Sequence, residues 1–156
     1  MAETPAEQFI ETMGLMAQSD GAPRIAGQIL GYLVVAGEPR TLQQMAEDLS
    51  ISKASASTNA RLLESRGLLR RVSHLGARQD GWETVQDPNR QMLTTLAAKF
   101  RRNAEDIRAI SATFPDDPPG ARERVEGFAE FYRQSADFLT DWLARVPAVP
   151  DERPAR

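Results

Sequence analysis

The sequence contains no cysteine and only one histidine, His74. Without thiols there is no disulfide framework, no thiolate metal site and no cysteine nucleophile, and a reducing compartment suits the chain. One imidazole cannot build the usual histidine-based zinc clusters. A Ser-His-Asp triad would have to use His74 itself, in a segment that reads as a surface turn. Neither catalysis nor a metal or cofactor is expected. Long apolar runs are also missing: the longest, "ILGYLVVAG" from Ile29 to Gly37, is far too short to cross a bilayer. The opening "MAETPAEQF" has acidic residues and no basic segment ahead of an apolar run, so it does not read as a secretory signal. A cytoplasmic protein without a membrane partner is expected. Repeats and low-complexity tracts are absent. What remains is a normal globular balance, 41% hydrophobic and 26% charged over 156 residues, enough for one ordinary domain or a small core with arms attached.

Helix starts and stops organise the chain. "TPAE" (Thr4 to Glu7) is a capping box with proline at the first helical position, and Phe9, Ile10, Met13, Met16 and Ala17 follow at helical spacing. Pro23 opens a second helix on which Ile25, Ala26, Ile29, Leu30, Leu33 and Val34 share a face, and Gly37 ends it. Gly27 and Gly31 sit four apart on that helix, each costing roughly 1 kcal/mol relative to alanine, so close approach of another backbone is the expected compensation. Thr41 and Gln44 form another capping box, with Met45, Ala46 and Leu49 facing inward. "SIS" breaks that helix. Ser52 caps the next one, which runs to about Arg66, with Gly67 in the left-handed position. If Ala56 faces the core, the 100° step brings Ala60 and Leu63 to the same side and leaves Ala54, Ser55, Ser57, Thr58 and Arg61 outside.

"LLRRVS" (Leu68 to Ser73) and "WETV" (Trp82 to Val85) read as two strands joined by "HLGARQDG", with His74 in the turn and Trp82 at the base of the hairpin. "DPNR" (Asp87 to Arg90) starts a long helix with a cap and a proline. Leu93, Leu96, Phe100, Ile107, Ile110 and Phe114 then follow a seven-residue spacing, with polar Asn103 on the seam. "PDDPPG" (Pro115 to Gly120) is a stop and a loop. The last helix carries Val125, Phe128, Tyr132, Ser135, Leu139, Trp142 and Val146, flanked by Phe131 and Phe138, a wider aromatic stripe than one antiparallel partner needs. "PAVPDERPAR" reads as a frayed tail.

Three helices followed by a hairpin is the order of a winged helix-turn-helix. The fold class expected is mainly α with a small β-hairpin wing, the core carrying N- and C-terminal dimerisation helices. Short outward side chains on a reading helix permit close approach to a DNA major groove. Ser52, Ser55, Ser57 and Thr58 can donate to phosphates or bases, and Lys53 and Arg61 add charge. Arg70 and Arg71 lead into a wing bearing Arg78, positioned for a minor groove or the backbone beside it; strand alternation lets only one of the two face the groove. Arg24 to Val85 holds eight basic and six acidic residues, a net of +2, which leaves −5 for the remainder of a chain of net charge −3. Binding would therefore rest on a local basic face.

"RIAGQILGYLVVAGEPRTLQQMAEDLSISKASASTNARLLESRGLLRRV" followed by "GARQDGWE" resembles the winged-helix core of MarR-type regulators, in particular the GbsR-like branch, over roughly Arg24 to Asp87. The resemblance implies a homodimeric DNA-binding transcriptional regulator, usually a repressor, with DNA contacts at Lys53, Ser55, Ser57, Thr58, Arg61 and Arg78. Gly76 stands where the commoner wing pattern has an aspartate, so that residue's role does not transfer. The expected division is an N-terminal dimerisation helix over 1–21, the winged core over 22–87, C-terminal dimerisation helices over 88–146 and a tail over 147–156. Dimerisation is assigned to Phe9, Met13, Phe128, Tyr132, Leu139 and Trp142, the aromatic stripe being ordinary interface material. The partners expected are double-stranded DNA, a second copy of the chain, and a small-molecule effector acting between core and arms. Choline-like cations are the first effector candidates, because aromatic faces attract quaternary ammonium groups. The alternative is a winged-helix adaptor that docks on protein without specific DNA binding.

Overall fold

The computed structural model describes residues 3–73, 78–115 and 118–150. Its elements are α1 (Pro5–Ser19), α2 (Arg24–Ala36), β1 (Arg40–Thr41), α3 (Leu42–Asp48), α4 (Lys53–Ser65), β2 (Leu69–Val72), β3 (Gly81–Thr84), α5 (Pro88–Ser111) and α6 (Ala121–Arg145). They fall into two compact units, Met1–Pro88 and Asn89–Arg156. No helix among the described residues is long and apolar enough to cross a membrane.

In the first unit the caps form as the local chemistry dictates. Thr4 and Glu7, and Thr41 and Gln44, close reciprocal capping boxes at α1 and α3. Gly37 ends α2 at φ 65° and Gly67 follows α4 at φ 73°, the left-handed positions expected of both. α1 lies across α2 where glycines leave no side chain: a Cβ on Gly27 would fall 2.2 Å from the Met13 carbonyl oxygen, and one on Gly31 3.1 Å from Met13 Cβ. Ile29, Leu33, Met45, Ala56, Ala60, Leu63 and Trp82 join α2, α3, α4 and the sheet into one core. Val34 departs from the expected inner face and is exposed, together with Val35.

The sheet has three strands, not two. Thr41 and Arg40 pair with Gly81 and Trp82, giving the antiparallel order β1-β3-β2. A two-residue strand carries no periodicity of its own; it forms because β3 offers it an edge. Leu69↔Thr84, Arg70↔Glu83, Arg71↔Trp82 and Val72↔Gly81 set the wing register. The expected hairpin turn, including His74 and Gly76, lies outside the described residues.

In the second unit α5 and α6 run antiparallel. Arg90 donates to the carbonyls of Leu143 and Val146, Phe100 meets Tyr132 edge-on at 5.3 Å, and Arg122 donates to the Phe114 carbonyl. The buried line of α5 is Ala97, Ala104 and Ser111, so the expected seam is out of phase at its end and Ile110 is 57% exposed. A straight helix drifts about 20° per heptad against a strict seven-residue repeat, and large side chains mark the flank here, not the centre. Asn103 is half-buried on that flank.

α6 carries two stripes. Ala129, Ala136 and Leu143 are buried, with Tyr132 and Leu139 half-buried beside them. Roughly 80–160° around the helix from that line, Phe128, Phe131, Phe138 and Trp142 are 65%, 60%, 68% and 45% exposed. The residues assigned to dimerisation therefore divide. Phe9, Phe128 and Trp142 are exposed, whereas Met13 packs on the α2 glycines and Tyr132 on Phe100. Residues 151–156 of the expected tail, and Asp116 and Asp117 of the expected loop, lie outside the described residues.

Candidate nucleic-acid interface

The reading helix is placed by the turn ahead of it. The Ile51 amide donates to the Ala46 carbonyl and the Ser50 amide to that of Glu47, closing α3 with Ser50 left-handed at φ 53°. This reverses the chain within a few residues. Ser52, in extended backbone, then accepts from the Ser55 amide at 3.0 Å and starts α4.

Ala56, Asn59, Ala60 and Leu63 of α4 are buried, and Ser52, Lys53, Ala54, Thr58 and Arg61 are exposed. Ser55 and Ser57 are half-exposed at the edge of that outer face. Small alanines on the inner side let α4 lie close to α2 without lifting its outer side chains away from solvent. Asn59 escaped the sequence reasoning. Its Nδ2 donates to the Ser55 carbonyl at 2.9 Å, satisfying a buried amide and bracing the first turn of the helix. A polar residue between two inward alanines was the available signal.

Strand register separates the two wing arginines. Arg71 shares a face with Trp82: its guanidinium carbon lies 4.7 Å from the ring centroid, and Nε is 3.4 Å from Glu64 Oε1 on α4. Arg70 points to the opposite face, where Nε and Nη2 both reach Glu83 Oε1 at 2.8 and 2.7 Å. Ser73 donates to Asp80 at 2.6 Å just past the last strand pair, on the turn side of the wing, and Arg78 is exposed beyond it. Between α4 and the wing lies an open cleft of 240 Å³ lined by Lys53, Ser57, Arg61, Arg71, Asp80 and Trp82 among others. Three cations against one carboxylate make it electropositive.

Behind the helices, Tyr32 on α2 donates to Asp48 Oδ2 at 2.5 Å, at the last residue of α3. Burial, then the hydrogen bond and the Asp48 charge, push its phenol up to about 12.

A capped helix with a small, polar, cationic outer face, set by a tight turn beside a three-stranded wing, defines a winged helix-turn-helix DNA-binding protein. The sequence model of the MarR family matches residues 20–79. The HTH-type transcriptional regulator MmpR5 of Mycobacterium tuberculosis is 35% identical over 149 residues, covering 92% of this chain and 88% of that protein. The HTH-type transcriptional repressor OpcR of Bacillus subtilis is 25% identical over 158 residues, covering 92% and 83%. A solved structure, "Crystal Structure of a transcriptional regulator", superposes with a TM-score of 0.72 at 26% identity and covers 91% of this chain and 97% of that one. The chain belongs to the MarR family of winged-helix transcriptional regulators. It is a DNA-binding regulator and not an enzyme.

Proposed function

We propose that the protein is a cytoplasmic homodimeric repressor of the GbsR-like branch. α4 lies in the major groove of its operator, and the wing meets the adjacent minor groove or backbone. The observation that carries this reading is the outward face of α4, where Ser52, Lys53, Thr58 and Arg61 are exposed and Ser55 and Ser57 half-exposed, beside exposed Arg78 on the wing. Lys53 and the helix N-terminus favour phosphates, and the short hydroxyl side chains permit approach to base edges. The glycine-spaced helix ahead of "GEP" and the "SISKASAS" segment favour the GbsR-like branch. Repression is in keeping with the similarity to OpcR, a repressor.

The second copy is assigned to the exposed stripe of α6. Gly127 supports this: beyond its own stretch of helix, no described residue lies within 4 Å of a Cβ built there, so packing among the described residues does not require a glycine that costs helix stability. The 1–21 segment contributes Phe9, the arms span 88–146, and 147–156 is a tail. An effector, with choline-like cations first, would act by altering the separation of the two reading helices; the exposed rings are of the kind that attract such cations.

Selection of bound fragments from genomic DNA tests the reading. The recovered site should be an inverted repeat with half-sites about one turn, roughly 34–36 Å, apart. Recovery of fragments with no shared symmetric site would overturn it.

A further inference from the structure

Two adjacent arginines of the wing stand in different chemical situations. Arg70 commits two nitrogens to Glu83, a carboxylate only 12% exposed, on the sheet face turned away from α4. Arg71 faces the cleft. Its plane rests on Trp82, a residue 3% exposed and therefore a fixed platform, and its only ion pair among the described residues is a 3.4 Å approach of Nε to the half-exposed Glu64. Among the described residues its Nη nitrogens take no hydrogen bond, and the cleft they border also receives Lys53 and Arg61 from α4. Asp80, the carboxylate in the cleft lining, accepts from the Ser73 hydroxyl at Oδ1 and keeps its charge, against which the cleft sets Lys53, Arg61 and Arg71. At 240 Å³ the cleft has room for about eight waters of liquid volume, enough for a partly hydrated phosphodiester group.

We propose that this cleft seats one backbone phosphate of the DNA strand that passes from the groove read by α4 to the groove met by the wing, and that Arg71, not Arg70, is the wing cation that holds it. The strand must cross between helix and wing if each occupies its own groove, and the cleft is the gap between them. A guanidinium oriented by an indole loses little freedom on binding, and its remaining edge matches a phosphate bidentately. The inference rests on α4 being the reading helix.

The experiment is a salt series of binding isotherms, read by fluorescence anisotropy, on a mixed-sequence duplex of about three helical turns. It compares the full chain with Arg70→Gln, Arg71→Gln and Arg71→Lys. Both glutamine variants remove the same charge, so long-range attraction falls equally. Arg71→Gln should weaken binding about tenfold and reduce the slope of log affinity against log salt by about 0.9 for each protomer engaged. Arg70→Gln should stay within about twofold, with the wild-type slope. Arg71→Lys keeps the charge without the planar stack and should keep the slope, which separates loss of the contact from loss of the fold. Equal effects of the two glutamine variants, or a reduced slope in Arg71→Lys, would overturn the proposal while leaving DNA binding by α4 standing. A wild-type chain whose affinity does not respond to salt would overturn the interface as a whole.

Discussion

Tyr32 places a single hydrogen bond under the whole reading apparatus. Its hydroxyl ties α2 to Asp48 at the end of α3, immediately before the turn that aims α4. The phenol is raised from 10.0 to about 12, first by burial and then by Asp48, so the fold holds the protonated form. The stability that follows is fully present below pH 10, where the unfolded chain also keeps its proton. It is lost as the pH rises from 10 towards 12, where only the folded state still holds it. With two tyrosines in the chain, difference spectroscopy can resolve this one. Tyr32→Phe should remove the tyrosinate absorbance change near pH 12 and flatten the decline of stability over that interval. Identical alkaline titrations of variant and wild type would show that Tyr32 is not the late-titrating group.

Among the elements, the contact of α1 with α2 depends most on one atom too few. Alanine at Gly27 would gain roughly 1 kcal/mol of helix propensity, yet its Cβ would stand 2.2 Å from the Met13 carbonyl oxygen and 2.7 Å from Ala17 Cβ. Backbone cannot yield as a side-chain tip does, so the clash wins. Gly27→Ala should cost at least about 3 kcal/mol in urea unfolding. Gly31→Ala, where the nearest atoms are at 3.1 and 3.2 Å, should cost about 1 kcal/mol or less. Equal effects would mean that α1 is free to shift. This contact was legible in the sequence because a glycine pair one turn apart inside a helix has few other reasons to exist. The caps at Thr4, Thr41 and Ser52 were legible for a similar reason, each being a bond that spans three residues. β1 was not legible, because its partner Trp82 lies far along the chain. The different fates of Arg70 and Arg71 needed the strand register, which opposes one to Glu83 and the other to Trp82. The end of the α5 seam was lost because size alone does not fix helix phase: small Ser111 is buried where large Ile110 is not.

At the scale of the molecule, the second stripe of α6 is the face proposed to meet a second copy. Phe131 and Phe138 are 60% and 68% exposed, seven residues apart, and share their face with Phe128 and Trp142. Contiguous aromatics of this kind mark an interaction surface, and a symmetric interface buries each of them twice. Burial of one phenylalanine contributes about 1.5–3 kcal/mol, so two positions counted in both copies can offset much of the cost of association. Aspartate at either position would place a charge in that seam without touching Ala129, Ala136 or Leu143 on the other stripe. Phe131→Asp and Phe138→Asp should therefore keep the helix content of the wild type while sedimenting as monomers at micromolar concentration. DNA binding should follow the assembly. A dimer engages its second half-site at the effective concentration set by the first, so a monomer with intact α4 and wing should lose about 10²–10⁴ in affinity for a symmetric operator. Its affinity for an isolated half-site should be unchanged. A variant that stays dimeric would move the interface to another face; one that becomes monomeric yet binds the full operator as tightly as wild type would separate dimerisation from recognition.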